Sequence, residues 1–187
     1  MAESWKESLE ILKNGNKRFL HQKQCKAEHK IDDLRELEEG QDPHAIVICC
    51  SDSRVSPDII FNQHLGSLFV IQNAGNVCDT SVLGSVQYAL QHLGTPLVVV
   101  LGHSLCGAVT AAHKNKNVTG PLKNIVEIID SHVVEGSIDD SIRSHTKQSA
   151  EEMRQLLKPH ESRLDQTVRI LSAYYDIGSG EVTWLSE

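Results

Sequence analysis

Cys50, Asp52 and Arg54 stand at alternate positions in the run Cys50-Ser51-Asp52-Ser53-Arg54. A second run, Gly102-His103-Ser104-Leu105-Cys106-Gly107, sets an imidazole and a thiol three residues apart. Two thiolates and one imidazole make a good zinc set. Three protein ligands leave the fourth tetrahedral position for water, which is the catalytic arrangement. In extended chain the Asp52 side chain faces the same way as that of Cys50. A carboxylate so close to a metal can bind it and displace the water. Arg54 can hold that carboxylate with two parallel hydrogen bonds. Released from the metal, Asp52 can accept the proton of a zinc-bound hydroxide and leave a lone pair aimed at substrate.

Taken singly, both runs are weak signals, because a lone strand cysteine usually serves as a small hydrophobe. Their placement strengthens them. Residues 45–49, 68–71 and 97–101 are continuous apolar stretches rich in β-branched residues. Such stretches read as strands buried on both faces, in a parallel sheet covered by helices. The first run follows directly on stretch 45–49 and the second on stretch 97–101. Ligands bind outside the carboxyl ends of parallel strands, so both runs converge on one edge. Cys49 should face away from Cys50. Cys78 lies in an unplaced loop and stays open as a further thiol ligand.

The remaining pattern is helical. Residues 5–19 carry apolar residues at near-helical spacing, with Gly15-Asn16 marking a break, and 31–39 form a second amphipathic helix ended by Gly40. Ser56-Pro57 opens a helix through Asn62. Thr80 or Ser81 caps another that runs to Leu93 and stops at Gly94. Residues 104–113 form a third, and 120–160 read as mostly helical. Stretches 168–174 and 182–185 flank a glycine-bearing turn and read as a strand pair. The expectation is an α/β fold: a mostly parallel central sheet flanked by helices, an N-terminal helical arm and an antiparallel C-terminal strand. One domain spans 1–187, with N-terminal helices over 1–40 and the zinc-binding core over 41–187.

Composition bounds the function classes. The chain has 187 residues, 40% of them apolar and 23% charged, with a formal net charge of −7. That charge disfavours nucleic-acid binding, which needs a concentrated basic surface. No apolar run is long enough to cross a bilayer, and the first residues lack a signal-peptide pattern, so a cytoplasmic protein without membrane partners is expected. Five cysteines, an odd number, argue for thiols or metal ligands rather than a disulfide framework.

Together with Asn73-Ala74-Gly75-Asn76, the two runs resemble the β-class carbonic anhydrases, and the resemblance extends over most of the chain. It implies reversible hydration of carbon dioxide to bicarbonate and a proton. It implies one zinc per subunit on Cys50, His103 and Cys106, with Asp52 and Arg54 as a gating dyad. It also implies a narrow apolar pocket at the interface of a homodimer or higher homo-oligomer. Gln41 matches the family's substrate-orienting amide. Phe69, Ala74, Tyr88 and Gly107 match substrate-binding positions, some supplied by the partner subunit. Gln72 departs from the family, which commonly has Arg there. Val47 stands where members with a regulatory bicarbonate pocket have Trp. His44, His64 and His113 are candidate proton shuttles.

Three rival readings compete with this one. The same zinc site could hydrolyse carbonyl sulfide or carbon disulfide. The chain could be a catalytically silent zinc-binding interaction module, although such a module has no need of a gate. A redox thiol protein using Cys49-Cys50 would lack any Cys-x-x-Cys and would strain an adjacent pair.

Overall fold

The structure is a computed structural model that describes residues 4–21, 35, 37–114, 117–158 and 167–186. Five strands form one sheet: β1 Ala45–Cys50, β2 Leu68–Asn73, β3 Leu97–His103, β4 Arg169–Tyr175 and β5 Val182–Trp184. Their order is β2-β1-β3-β4-β5. The first three pairings are parallel, and β5 closes the sheet antiparallel to β4. The expected sheet class, the N-terminal helix and the antiparallel terminal strand are all present.

Every residue of β1 and β3 is buried, which is what their unbroken apolar runs dictate. Val47, Cys49, Val99 and Leu101 face one layer, where Leu9 and Leu12 of helix α1 (Trp5–Leu20) and Phe61 pack on them. Ile46, Ile48, Val98 and Val100 face the other. There they meet Val82 and Val86 of α3 (Thr80–His92) and Ala150 and Met153 of α6 (Ile138–Leu157). Each such side chain contributes about 1.5–3 kcal/mol on full burial, so alternate strand residues secure opposite helical layers. A third cluster caps the carboxyl edge of the sheet. It combines Cys50, Cys106 and Tyr174 with Val109 of α4 (Gly107–His113), Ile129 of α5 (Leu122–Asp130) and Ile142 of α6.

Three local expectations are corrected. Gly15-Asn16 does not break α1, which runs unbroken through both residues. Gly15 is instead a point of close approach: a Cβ there would lie 1.7 Å from the Phe61 carbonyl oxygen. Asn16 donates to the carbonyls of Ile60 and Gly180 and accepts from the Val182 amide, tying the helix to two other segments. The cap of α3 is Asp79, one residue earlier than expected, whose Oδ1 accepts from the amides of Ser81 and Val82. A carboxylate also suits the positive end of the helix. Helix α4 begins at Gly107 rather than Ser104, because Leu105 takes a left-handed conformation (φ 60°) that no α-helix contains.

Ser56 precedes the short helix α2 (Pro57–Ile60), with Pro57 in its first turn as expected, though the Ser56 side chain makes no cap bond. Of the expected helix over 31–39, residues 31–34 and 36 lie outside the described residues, and Leu37–Glu39 form a 3-10 turn. Among the described residues no helix is long and apolar enough to cross a membrane.

Candidate metal centre

Cys50 and His103 are the last residues of β1 and β3, which are parallel neighbours. Their side chains therefore emerge at the same edge of the sheet. Cys106 arrives three residues later, brought back by the left-handed Leu105, and forms the N-cap of α4. A non-glycine residue at positive φ stores backbone strain, and here it turns the chain between two candidate ligands. Ligand atoms of Cys50, His103 and Cys106 all lie within 4.8 Å of one another, and all three residues are buried. Among the described residues no carboxylate, neither Asp52 nor any other, joins that cluster.

The donor chemistry fits a zinc ion. His103 Nδ1 lies 2.8 Å from the Ser104 carbonyl oxygen. A carbonyl only accepts, so Nδ1 carries the proton and Nε2 presents its lone pair. Nε2 is buried and has no hydrogen-bond partner among the described residues. A buried bare nitrogen is costly, and a cation on it removes that cost. Such an outer hydrogen bond is the usual way a metal-binding histidine is oriented.

The two thiols differ in how readily they ionise. The hydrogen-bonding proximity of the two sulfurs draws the Cys50 thiol below its ordinary range and pushes Cys106 up. The Gly75 amide donates to Cys50 Sγ at 3.3 Å, and the Ala108 and Val109 amides at the start of α4 favour an ionised Cys106. Cys49 differs. It packs in the α1 layer, and burial pushes its thiol up to about 12. Cys78 packs against the α3 layer, its thiol likewise pushed up to about 12 by burial. Neither belongs to the cluster, and the four described cysteines are all free thiols. Cys49 packs in the α1 layer and Cys50 in the edge cluster, so the two are not placed as a redox pair.

Asp52 and Arg54 meet as the sequence implies. Arg54 donates from Nε to Oδ1 at 2.9 Å and from Nη2 to Oδ2 at 2.8 Å, and its backbone amide reaches Oδ1 at 3.0 Å. The Arg54 hydrogen bonds hold the Asp52 carboxyl well below the usual carboxylate range.

A family model described as carbonic anhydrase matches residues 45–182. Two solved structures bearing the β-class name share the fold. One, from Aspergillus fumigatus, is 28% identical with a TM-score of 0.71 and covers 97% of this chain and 92% of its own. The other, the β-carbonic anhydrase CcaA, is 26% identical with a TM-score of 0.67, covering 83% and 89%. The chain belongs to the β-carbonic anhydrase family. Carbonic anhydrase 2 of Mycobacterium tuberculosis is 41% identical over 140 residues, a match spanning 73% of this chain and 66% of that protein.

The other residues that the β-carbonic anhydrase resemblance singles out are divided in space. Ala74 sits in the 3-10 turn Ala74–Asn76 directly after β2, and Gly107 opens α4, so both lie at the metal edge. Phe69 is level with Ile46 in the sheet register, whereas Asn73 is level with Cys50. Four residues of strand, about 13 Å, thus separate Phe69 from the metal edge. Tyr88 stands beside Phe69 with ring centroids 6.2 Å apart and is 48% exposed. Gln41 is exposed and precedes the amino end of β1. Within one chain these three are not brought to the cysteine cluster.

The candidate shuttles His44 and His113 are also engaged elsewhere. His44 bonds Gln63 near the start of β1, and His113 bonds Ser141 at the end of α4.

Two contributions were not foreseen from sequence. Gln72, which replaces a common family arginine, donates to the carbonyls of Cys50 and Val55 at 3.2 Å each and so clamps the loop that carries Asp52 and Arg54. The Gly75 amide on Cys50 was unforeseen as well. Its only sequence signal was the glycine of Asn73-Ala74-Gly75-Asn76.

Proposed function

We propose that this chain catalyses the reversible hydration of carbon dioxide to bicarbonate and a proton, with Cys50, His103 and Cys106 holding one zinc ion. The observation that carries the proposal is the buried convergence of those three side chains, with His103 Nε2 beside the two sulfurs and without a hydrogen-bond partner among the described residues. Zinc bound there would act as a Lewis acid that makes hydroxide available from water near neutral pH.

The chain's own residues supply the rest. Arg54 restrains the Asp52 carboxylate, which keeps that carboxylate from competing as a ligand. With both Asp52 oxygens engaged by Arg54 yet still able to accept, the carboxylate can take one hydrogen bond from the attacking water species and orient its remaining lone pair. The amides on both sulfurs spread the thiolate charge without adding a fourth ligand. Gln72 keeps the loop between Cys50 and Val55 in register with β2. The tethered Asp52–Arg54 pair argues against a silent binding module, which would gain nothing from a restrained carboxylate.

The pocket is completed by a second copy. Phe69, Tyr88 and Gln41 lie away from the cluster of their own chain, so they would line the site of a two-fold partner in a homodimer. Exposed Tyr88 packed on Phe69 at the β2 edge suits such a role.

The test is metal analysis and stopped-flow carbon dioxide hydration on one sample, with its mass measured by light scattering. About one zinc per chain, rapid hydration and a dimer or larger species are expected. Zinc-free protein that hydrates carbon dioxide at full rate would refute the site. Zinc-loaded protein without hydration would refute the activity.

A further inference from the structure

A buried hydrogen-bonded chain runs from the metal edge to the surface. Gly75 donates through its amide to Cys50 Sγ at 3.3 Å, and its carbonyl oxygen lies 2.7 Å from His145 Nε2. His145 Nδ1 is 2.9 Å from His132 Nδ1, with the two rings stacked at 5.2 Å between centroids. His132 Nε2 is 2.9 Å from Glu152 Oε1. His145 is 1% exposed and His132 7%, while the Glu152 side chain is 44% exposed. His145 and Glu152 lie on α6, His132 follows α5, and Gly75 sits in the turn after β2.

Counting donors and acceptors sets the direction of the inner bonds of this chain. The Gly75 carbonyl can only accept, so His145 Nε2 carries hydrogen. Burial pulls His145 down to about 4, so near neutral pH it is uncharged and its Nδ1 is bare. The facing Nδ1 of His132 must then donate. His132 Nε2 meets a carboxylate oxygen, and they bond only through a proton between them. The order of donation is therefore His132 to His145 to Gly75 to Cys50.

Gly75 could not be held so by packing on ordinary terms. It has φ 76°, and a Cβ would lie 2.7 Å from Ile129 Cδ1 and 2.9 Å from Ala108 Cβ. The residue is wedged between α4 and α5 with a polar bond on each side. Two facing histidines are a poor filler for an apolar core, because each buried nitrogen must be satisfied.

We infer that His145, kept in one tautomer by the Gly75 carbonyl and by His132, is a positioning residue for the metal centre, anchoring Gly75 so that its amide stays on the Cys50 sulfur. This rests on the zinc reading proposed above. Outer hydrogen bonds of this kind typically change metal affinity 10–100-fold.

The experiment uses the full zinc-loaded chain. Long-range proton–nitrogen NMR should show His145 with hydrogen on Nε2 and a bare Nδ1; hydrogen on Nδ1 instead overturns the inference. Zinc affinity is then measured by competition with a chromophoric chelator, alongside the sulfur-to-metal charge-transfer band of the cobalt-substituted protein. His145→Leu should weaken zinc about tenfold and shift that band. His145→Gln, whose amide can still donate to Gly75, should recover most of both. A Leu variant matching wild type in affinity and band overturns the inference alone. A wild-type chain that binds no zinc overturns the metal reading and this inference with it. Should His145→Leu not fold, the His145 tautomer of the wild-type chain and the zinc affinity of His145→Gln still decide the inference, and a Gln variant about tenfold weaker with an altered band counts against it.

Discussion

Arg54 grips Asp52 with two parallel hydrogen bonds, Nε to Oδ1 at 2.9 Å and Nη2 to Oδ2 at 2.8 Å. The pair lies one turn of loop beyond Cys50, and under the proposed zinc reading the arginine would keep the carboxylate off the metal. Arg54→Ala should let Asp52 swing onto the zinc. Turnover should fall by about 10²-fold or more, the size seen when one transition-state contact is removed, while zinc content stays near one per chain. Hydration rates and metal analysis on the same variant check this. An Arg54→Ala protein at full rate would remove the gating role.

The Asp52 carboxyl is held below its usual range by Arg54. A depressed carboxyl stays ionised as pH falls until well below its ordinary value, so the dyad persists throughout the neutral range. Any rise of activity with pH must then come from elsewhere. Two thiolates cancel the zinc charge, whereas three neutral imidazoles do not, so the reacting water should ionise above the ~7 typical of three histidines. Hydration rates should climb between neutral and alkaline pH. A flat profile from about pH 6 to about pH 9 would contradict this ligand set.

Zinc removal should destabilise the fold. The buried bare Nε2 of His103 and the two sulfurs lose their shared partner. A ligand that binds only the folded chain stabilises it by ~4 kcal/mol at a thousandfold excess over its dissociation constant. Thermal melting with and without a strong chelator should therefore separate by several degrees. His103→Ala should melt at the chelated temperature whether or not zinc is added.

Acid should weaken the protein through His145. Burial lowers its folded value to about 4 from 6.5. As pH drops below 6.5 the unfolded chain takes up the proton first, so stability falls with pH and the effect levels off below about 4. By about pH 5 the loss should be on the order of 1–2 kcal/mol. Urea midpoints at neutral and mildly acid pH measure it, and His145→Gln should flatten the difference.

Gly15→Ala tests the close approach of α1 to the Phe61 carbonyl, where an added Cβ would fall 1.7 Å from oxygen. Alanine ordinarily favours a helix by ~1 kcal/mol over glycine. Here the backbone must shift instead, and a net loss of about 1–3 kcal/mol is expected. Chemical denaturation would show it, and a stabilised variant would mean that α1 is free to move away.

Cys50, His103 and Cys106 were legible because strand and turn impose short-range geometry. A continuous apolar run fixes a buried strand, and the residue after its last apolar position must emerge at its carboxyl end. The Asp52–Arg54 bond was readable for the same reason, since two-residue spacing repeats the side-chain direction. The left-handed Leu105 was not, because a leucine at positive φ is imposed by the cluster it serves and not by its own preference. Gly15 was misread as a break because helix propensity is local, whereas its purpose is contact with a segment some forty-five residues away.

By itself, then, the sequence determined the strands, their burial, the edge at which the chemistry gathers and the identities of the three candidate ligands. These follow from periodicity and from neighbours a few positions apart. Only the tertiary structure decided which backbone amides meet the sulfurs, how Gln72 clamps the Asp52 loop, and how His145, His132 and Glu152 stand behind Gly75. Those contacts join residues separated by up to seventy positions. Their donors and acceptors find each other only once the helices have packed on the sheet, and no spacing rule along the chain encodes that meeting.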